Sequence, residues 1–278
     1  MKLAQENLHY QLNYLRVAFQ KSRLKVRLRA NWISRIIYPA ISVMFFIRIW
    51  ELLVWFFEVP LWLVPKPTDF LNRFFSDFSL IANHGAATSV TIISGFLLGI
   101  FVAVPLALLI VSSNSLQRGL YPVIVFLNIM PKTVIGPILI VWFGIGPLAA
   151  VIIVFLMCFF PILVDSMTGF RAVDPRLFYI TKSMGATTWQ NFFFIRLPSS
   201  LQHIFGGMRI GIVKAVEGVM IAEFISSNKG LGFMIMRASS FMDMTLLFSG
   251  LIAAAIVALL FNSLLLTIEW LMIPWENQ

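Results

Sequence analysis

The sequence is short of cysteine, histidine and charge, and each shortage removes a class of function. One cysteine, Cys158, in 278 residues excludes an internal disulfide and a cysteine-based metal cluster. The three histidines, His9, His84 and His203, are scattered and unpaired with cysteine, so no metal site is expected. No G-x-x-x-x-G-K-[ST] loop occurs, and SSNKGLG has the Lys-Gly pair without the spacing, so the chain does not bind ATP by that route. H-E-x-x-H and G-x-S-x-G are also missing, and no constellation for covalent catalysis is visible. Charged residues make up 12% of the chain, where a soluble domain has about 25%.

What the sequence has is apolar surface. It is 59% hydrophobic, with a mean hydropathy of +0.89. A water-facing globule cannot hide that much, so the chain is expected to be an all-α integral membrane protein. No polar segment is long enough to fold separately. Six long apolar runs read as spans: roughly Ile36–Phe57, Thr88–Val111, Tyr121–Phe143, Leu148–Phe170, Ile204–Ser226 and Leu246–Met272. Each matches the ~20 helical residues that cross a hydrocarbon core.

The net charge of +9 is concentrated at one end, so it reads as topology and no nucleic-acid partner is expected. Residues 1–35 carry Leu8, Leu12, Leu15 and Phe19 at helical spacing, then Lys21, Arg23, Lys25, Arg27 and Arg29. That is either an interfacial amphipathic helix leading into a basic anchor or a solvated basic tail. It has no apolar core of the signal-peptide type. With the N-terminus inside, the inner flanks hold far more Lys and Arg than the outer flanks, which hold Lys66, Arg73, Lys229 and Arg237. Both termini are therefore expected in the cytoplasm. The domain layout is a cytoplasmic segment over 1–35, a membrane domain over 36–272 with a cytoplasmic loop over 171–203, and a cytoplasmic tail over 273–278.

Small residues recur every fourth position at Gly95, Gly99, Ala103 and Ala107, and again at Gly207 and Gly211, where a second helix can approach closely. Charges inside spans are costly and so informative. Lys132, Lys214, Glu217 and Glu223 are candidates for a translocation path. Lys214 and Glu217 are three apart and suit a structural pair at least as well as a substrate contact; Arg48 and Glu51 read the same way. Lys132, following Pro131 near the middle of the third span, is a possible lure for an anion. The glycines of SSNKGLGF suit a chain that folds back on itself to meet an external partner, through Gly230, Gly232 and Phe233.

The polar stretch VDPRLFYITKSMGATTWQNFFFIRLP, Val173–Pro198, is patterned as two short helices. Asp174 caps a helix over Arg176–Met184, Gly185 stops it, and Ala186-Thr187-Thr188 restarts a second that Leu197-Pro198 closes. In cytoplasm that knob would seat in a groove of a soluble partner, or its aromatics would lie on lipid headgroups.

Gly185, Ile195, Leu197 and Pro198 fit the pattern G-x9-I-x-L-P, which resembles the cytoplasmic loop of permease subunits of ATP-binding-cassette importers. WEL (Trp50–Leu52), VPKPTDF (Val64–Phe70), PxxxxWFGIG (Pro137–Gly146), FFPIL (Phe159–Leu163), GFRAVDP (Gly169–Pro175) and AEFISSNKGLGFMI (Ala222–Ile235) are similar, in the same order, to the binding-protein-dependent branch for nitrate, sulfonates, taurine, bicarbonate and thiamine precursors. The resemblance covers roughly residues 45–272. It implies the six-span type I importer permease fold in a bacterial inner membrane, as a homodimer with two cytoplasmic ATPase subunits and an external substrate-binding protein. It also implies a non-enzymatic subunit without a cofactor of its own, ATP and Mg being held by the ATPase, and a substrate that is a small anion or a pyrimidine vitamin precursor. The coupling residues would be Tyr179, Ile180, Thr181, Lys182 and Gly185, with Ile195, Leu197 and Pro198. One departure stands out: the family's loop usually begins Glu-Ala-Ala, and here those positions are Tyr179, Ile180 and Thr181. The competing reading is an ion-driven secondary transporter using Glu217 as a proton carrier; it leaves the loop pattern unexplained.

Overall fold

The computed structural model describes residues 37–274, and among these all regular structure is helical. The segment expected over 1–35 and most of the C-terminal tail lie outside the described residues. The helices are α1 (Ile37–Phe56), α2 (Pro67–Ser76), α3 (Phe78–Ser112), α4 (Asn114–Ile129), α5 (Gly136–Phe143), α6 (Pro147–Ala172), α7 (Pro175–Ser183), α8 (Thr188–Asn191), α9 (Leu197–Ser226), α10 (Leu231–Ser240) and α11 (Met244–Met272).

The described residues divide into two compact units, 37–60 with 66–68 and 61–65 with 69–274. In the first, α1 is apolar and mostly exposed. Its Glu51, read from the sequence as the partner of Arg48, accepts hydrogen bonds from the Thr68 hydroxyl at 2.7 Å and the Thr68 N–H at 3.3 Å. Thr68 is the second residue of α2, so the carboxylate sits where a helix N-terminus favours negative charge.

The second unit is built on α3, α6 and α9, whose buried side chains form one core that includes Ile92, Val154, Ile162, Phe170 and Ile212. The rows of small residues make this contact. A Cβ on Gly95 would meet Val154 at 2.5 Å, and one on Gly99 would meet Cys158 Sγ at 2.6 Å, so α3 rides directly on α6. Gly207 and Gly211 bring α9 onto the same stretch of α6, where a Cβ on either would meet Ile162 at 3.1 and 3.0 Å. In lipid, where no hydrophobic drive pairs helices, such backbone approach supplies the van der Waals contact. Gly99→Leu should therefore destabilise the fold by about 1–3 kcal/mol or more through overpacking. Thermal unfolding in detergent would show it, with Gly119→Ala as the control, since nothing lies within 4 Å of that position.

Three expected spans differ from the sequence reading; the second starts ten residues earlier, at Phe78 instead of Thr88. The third is not one helix: α4 stops at Ile129, Met130 takes ψ 133°, a 3-10 turn covers Lys132–Ile135, and α5 follows. Pro131 is the cause, because its ring pushes the preceding residue out of the helical region. The fifth starts seven residues earlier than expected, at Leu197 instead of Ile204, and runs 30 residues to Ser226. Among the described residues four helices, α1, α3, α6 and α11, are long and apolar enough to cross a membrane by length and composition. The broken α4–α5 pair and the more charged α9 occupy the other two expected places.

Candidate functional site

The Val173–Pro198 stretch folds as a projecting knob. Asp174 caps α7 by accepting from the Arg176 N–H at 2.9 Å. The helix ends in a turn where the Ala186 N–H reaches Thr181 O at 3.0 Å and Gly185 takes φ +82°. That left-handed backbone is the reason for a glycine there. Thr187 then opens α8 with a reciprocal cap: it accepts from the Gln190 N–H at 3.3 Å while its own N–H donates to Gln190 Oε1 at 2.8 Å.

The second helix does not close at Leu197-Pro198. It passes through a π turn, Phe192–Arg196, straight into α9, with the Leu197 N–H bonded to Phe192 O. Pro198 has no N–H to give and crowds the carbonyl four residues back, and a widened turn accommodates both effects. Thr188 to Ser226 is thus a single helical rod. Arg196 ties the base of the knob to α6, its Nε donating to Phe170 O at 3.4 Å, and its half-burial draws the guanidinium pKa below the ordinary value through desolvation.

The knob exposes apolar side chains. Tyr179 is 74% exposed, Met184 81% and Trp189 72%. Ile180 and Lys182 are exposed, and Thr181 is half-buried with its hydroxyl on Leu177 O at 3.0 Å. Trp189 and Phe193 stack at 5.7 Å. Behind them a cleft of about 560 Å³ lies between the knob and the end of α3, lined by Leu108, Ser112, Phe178, Trp189 and Arg196. Apolar surface of this kind, rimmed by polar groups, suits contact with another protein or with lipid headgroups.

The charges of the spans fall into three arrangements. Lys132 sits at the α4–α5 break, its Nζ donating to Asn128 O at 2.8 Å and lying 5.1 Å from the Phe160 ring centre. Lys214 and Glu217 pair at 2.7 Å along an exposed face of α9. Glu223 is elsewhere on the same helix and only 2% exposed. Its Oε2 accepts from the Thr88 hydroxyl at 3.0 Å and from the Gly232 N–H at 2.8 Å, and Thr88 in turn accepts from the Leu231 N–H at 2.8 Å. Gly230 and Gly232 are buried against it, and Phe233 is half-buried beside His84. Glu223 is therefore engaged apart from the Lys214–Glu217 pair.

Sequence reasoning missed an interhelical pair. Arg209 on α9 makes a two-pronged contact with Glu269 on α11: Nε donates to Oε2 at 2.7 Å and the second prong joins Nη2 to Oε1. The signal was present, since each is an isolated charge in an apolar run and a charge at membrane depth calls for a partner. Among the described residues no group of three His, Cys, Asp or Glu could hold a metal.

Comparison with known proteins adds four findings. Residues 95–272 match the family described as binding-protein-dependent transport system inner membrane component. The chain is 28% identical over 258 residues to a riboflavin transport system permease protein of Chloroflexus aurantiacus, covering 91% of this chain and 96% of the relative. It is 27% identical over 241 residues to a formylaminopyrimidine transport permease protein of Halalkalibacterium halodurans, covering 86% and 96%. A chain of the MetNI methionine ABC transporter, solved in inward-facing conformations, shares the fold with a TM-score of 0.61 at 17% identity, over 71% of this chain and 98% of that one.

Proposed function

Since the chain belongs to the family of binding-protein-dependent transport system inner membrane components, a non-catalytic permease subunit of an ATP-binding-cassette importer, we propose that it forms the translocation path as a homodimer and is driven through the Tyr179–Gly185 knob by two cytoplasmic ATPase subunits. The supporting observation is mechanical. The exposed knob is continuous with a rod that crosses the whole helical core, so a displacement at α8 is delivered along α9. At a rise of 1.5 Å per residue, α9 alone is about 45 Å long. Both termini lie in the cytoplasm, and the turn after α9 faces outward, where an external binding protein delivers the solute.

The missing loop glutamate changes the chemistry of the grip. Tyr179, Ile180 and Met184 offer an apolar and aromatic face, so the ATPase groove that receives them is apolar too, with Lys182 supplying the charge. The solute is a small anion or a pyrimidine-like heteroaromatic. Lys132 supports the first; the second follows the relatives whose names give riboflavin and formylaminopyrimidine.

Lys182→Cys should crosslink to a cysteine in the ATPase groove, and ATP should change the yield. No crosslink from Lys182 or Thr181 would count against the knob as the contact. Reconstitution tests the whole reading: uptake into liposomes should require the ATPase subunit, and uptake by this chain alone under an ion gradient would refute it.

A further inference from the structure

The turn that follows α9 has exposed polar residues, and such a connection is ordinarily mobile. Here it is tied down. Glu223, one turn before the end of α9, sends its carboxylate back beneath the turn to Gly232 and sideways to Thr88 on α3. Thr88 takes the Leu231 N–H, and His84 Nδ1 accepts from the Gly230 N–H at 3.1 Å. Three helices, α3, α9 and α10, thus meet on one buried carboxylate. The glycines serve this arrangement: Gly230 has φ +113°, and a Cβ on it would strike the Glu223 carboxylate, while one on Gly232 would meet Glu223 Cβ and Met220 O, each at 2.8 Å. The side chains left exposed on the turn are Asn228 and Lys229.

Burying a carboxylate is costly, and a turn held only for stability is made more cheaply with apolar contacts. What the carboxylate adds is direction, since hydrogen bonds fix the turn's backbone relative to α9. We infer that Glu223 is a positioning residue for transport, holding the Ser227–Gly230 turn rigid on α9 so that Lys229 is presented to an acidic patch of the external binding protein. This rests on the importer reading. It makes the clamp the outer counterpart of the knob, at the other end of the same rod.

The test uses the chain in proteoliposomes with its own ATPase subunit and the binding protein encoded with it. The quantity read is the binding-protein concentration that gives half-maximal stimulation of ATP hydrolysis. Thr88→Val, which removes both hydrogen bonds of the hydroxyl, and Glu223→Gln, which removes the charge they converge on, should each raise it at least about tenfold. That rise should exceed any fall in the maximal rate. Thr88→Ser, which keeps the hydroxyl, should restore it. Lys229→Glu, on the surface and harmless to folding, should raise it as well and weaken its salt dependence. An unchanged half-saturating concentration in Thr88→Val and Glu223→Gln, a fall in maximal rate alone, or a silent Lys229→Glu would each overturn the inference. A wild-type complex that no binding protein stimulates would overturn the importer reading itself, whereas a stimulated wild type with indifferent variants would overturn only the clamp.

Discussion

Valine at Gly185 should separate ATP hydrolysis from uptake. The glycine sits at φ +82°, where a β-branched residue carries about 1–3 kcal/mol of backbone strain. Nothing lies within 4 Å of its absent side chain, so the substitution acts on conformation and not on packing. The strain is relieved by moving the turn, and the turn sets the angle between α7 and the rod that begins at Thr188. Uptake should fall at least about tenfold while hydrolysis persists, because each ~1.4 kcal/mol of lost coupling is a factor of ten. Asparagine tolerates the left-handed region, so Gly185→Asn should retain most of the uptake. Parallel assays of phosphate release and solute accumulation decide the matter. Full uptake by Gly185→Val would mean that the elbow transmits nothing.

The second large effect concerns Arg209 and Glu269. The Glu269 side chain is 8% exposed and faces Arg209 from another helix. Removing the arginine leaves a buried carboxylate without its counter-ion, a change that costs roughly 3 kcal/mol. Arg209→Leu and Glu269→Leu should each lower thermal stability sharply. The double replacement should recover a substantial part, because it no longer leaves the buried carboxylate without its counter-ion. A double-mutant cycle measures the coupling, and strict additivity would show that the two residues act independently.

Much of this molecule was legible residue by residue. Asp174, Pro175, Gly185 and Thr187 are local signals, and the caps and the elbow stand where those residues place them. The small residues at Gly95 and Gly99 announced a close helix contact, and the contact is with α6. What escaped was of two kinds. Pro131 and Pro198 were both visible, yet their effects are opposite. The first breaks a span into two helices, and the second is absorbed in a π turn that leaves the rod whole. The difference lies in what surrounds each proline, which no local rule contains. The other kind was partnership at a distance. Arg209 and Glu269 are 60 positions apart, and Thr88 and Glu223 are 135 apart. Sequence shows that such groups need partners, but topology chooses them.

The π turn also fixes an angle. A wider turn adds about one residue to the helix without a matching advance, and one residue of α-helix is ~100° of rotation. Phe192–Arg196 therefore acts as a phase setter between the two ends of the rod. It determines which way Trp189 and Phe193 point relative to Arg209, Lys214 and Glu223 farther along. A family of transporters could keep one membrane core and re-aim its motor contact merely by tightening or loosening that single turn.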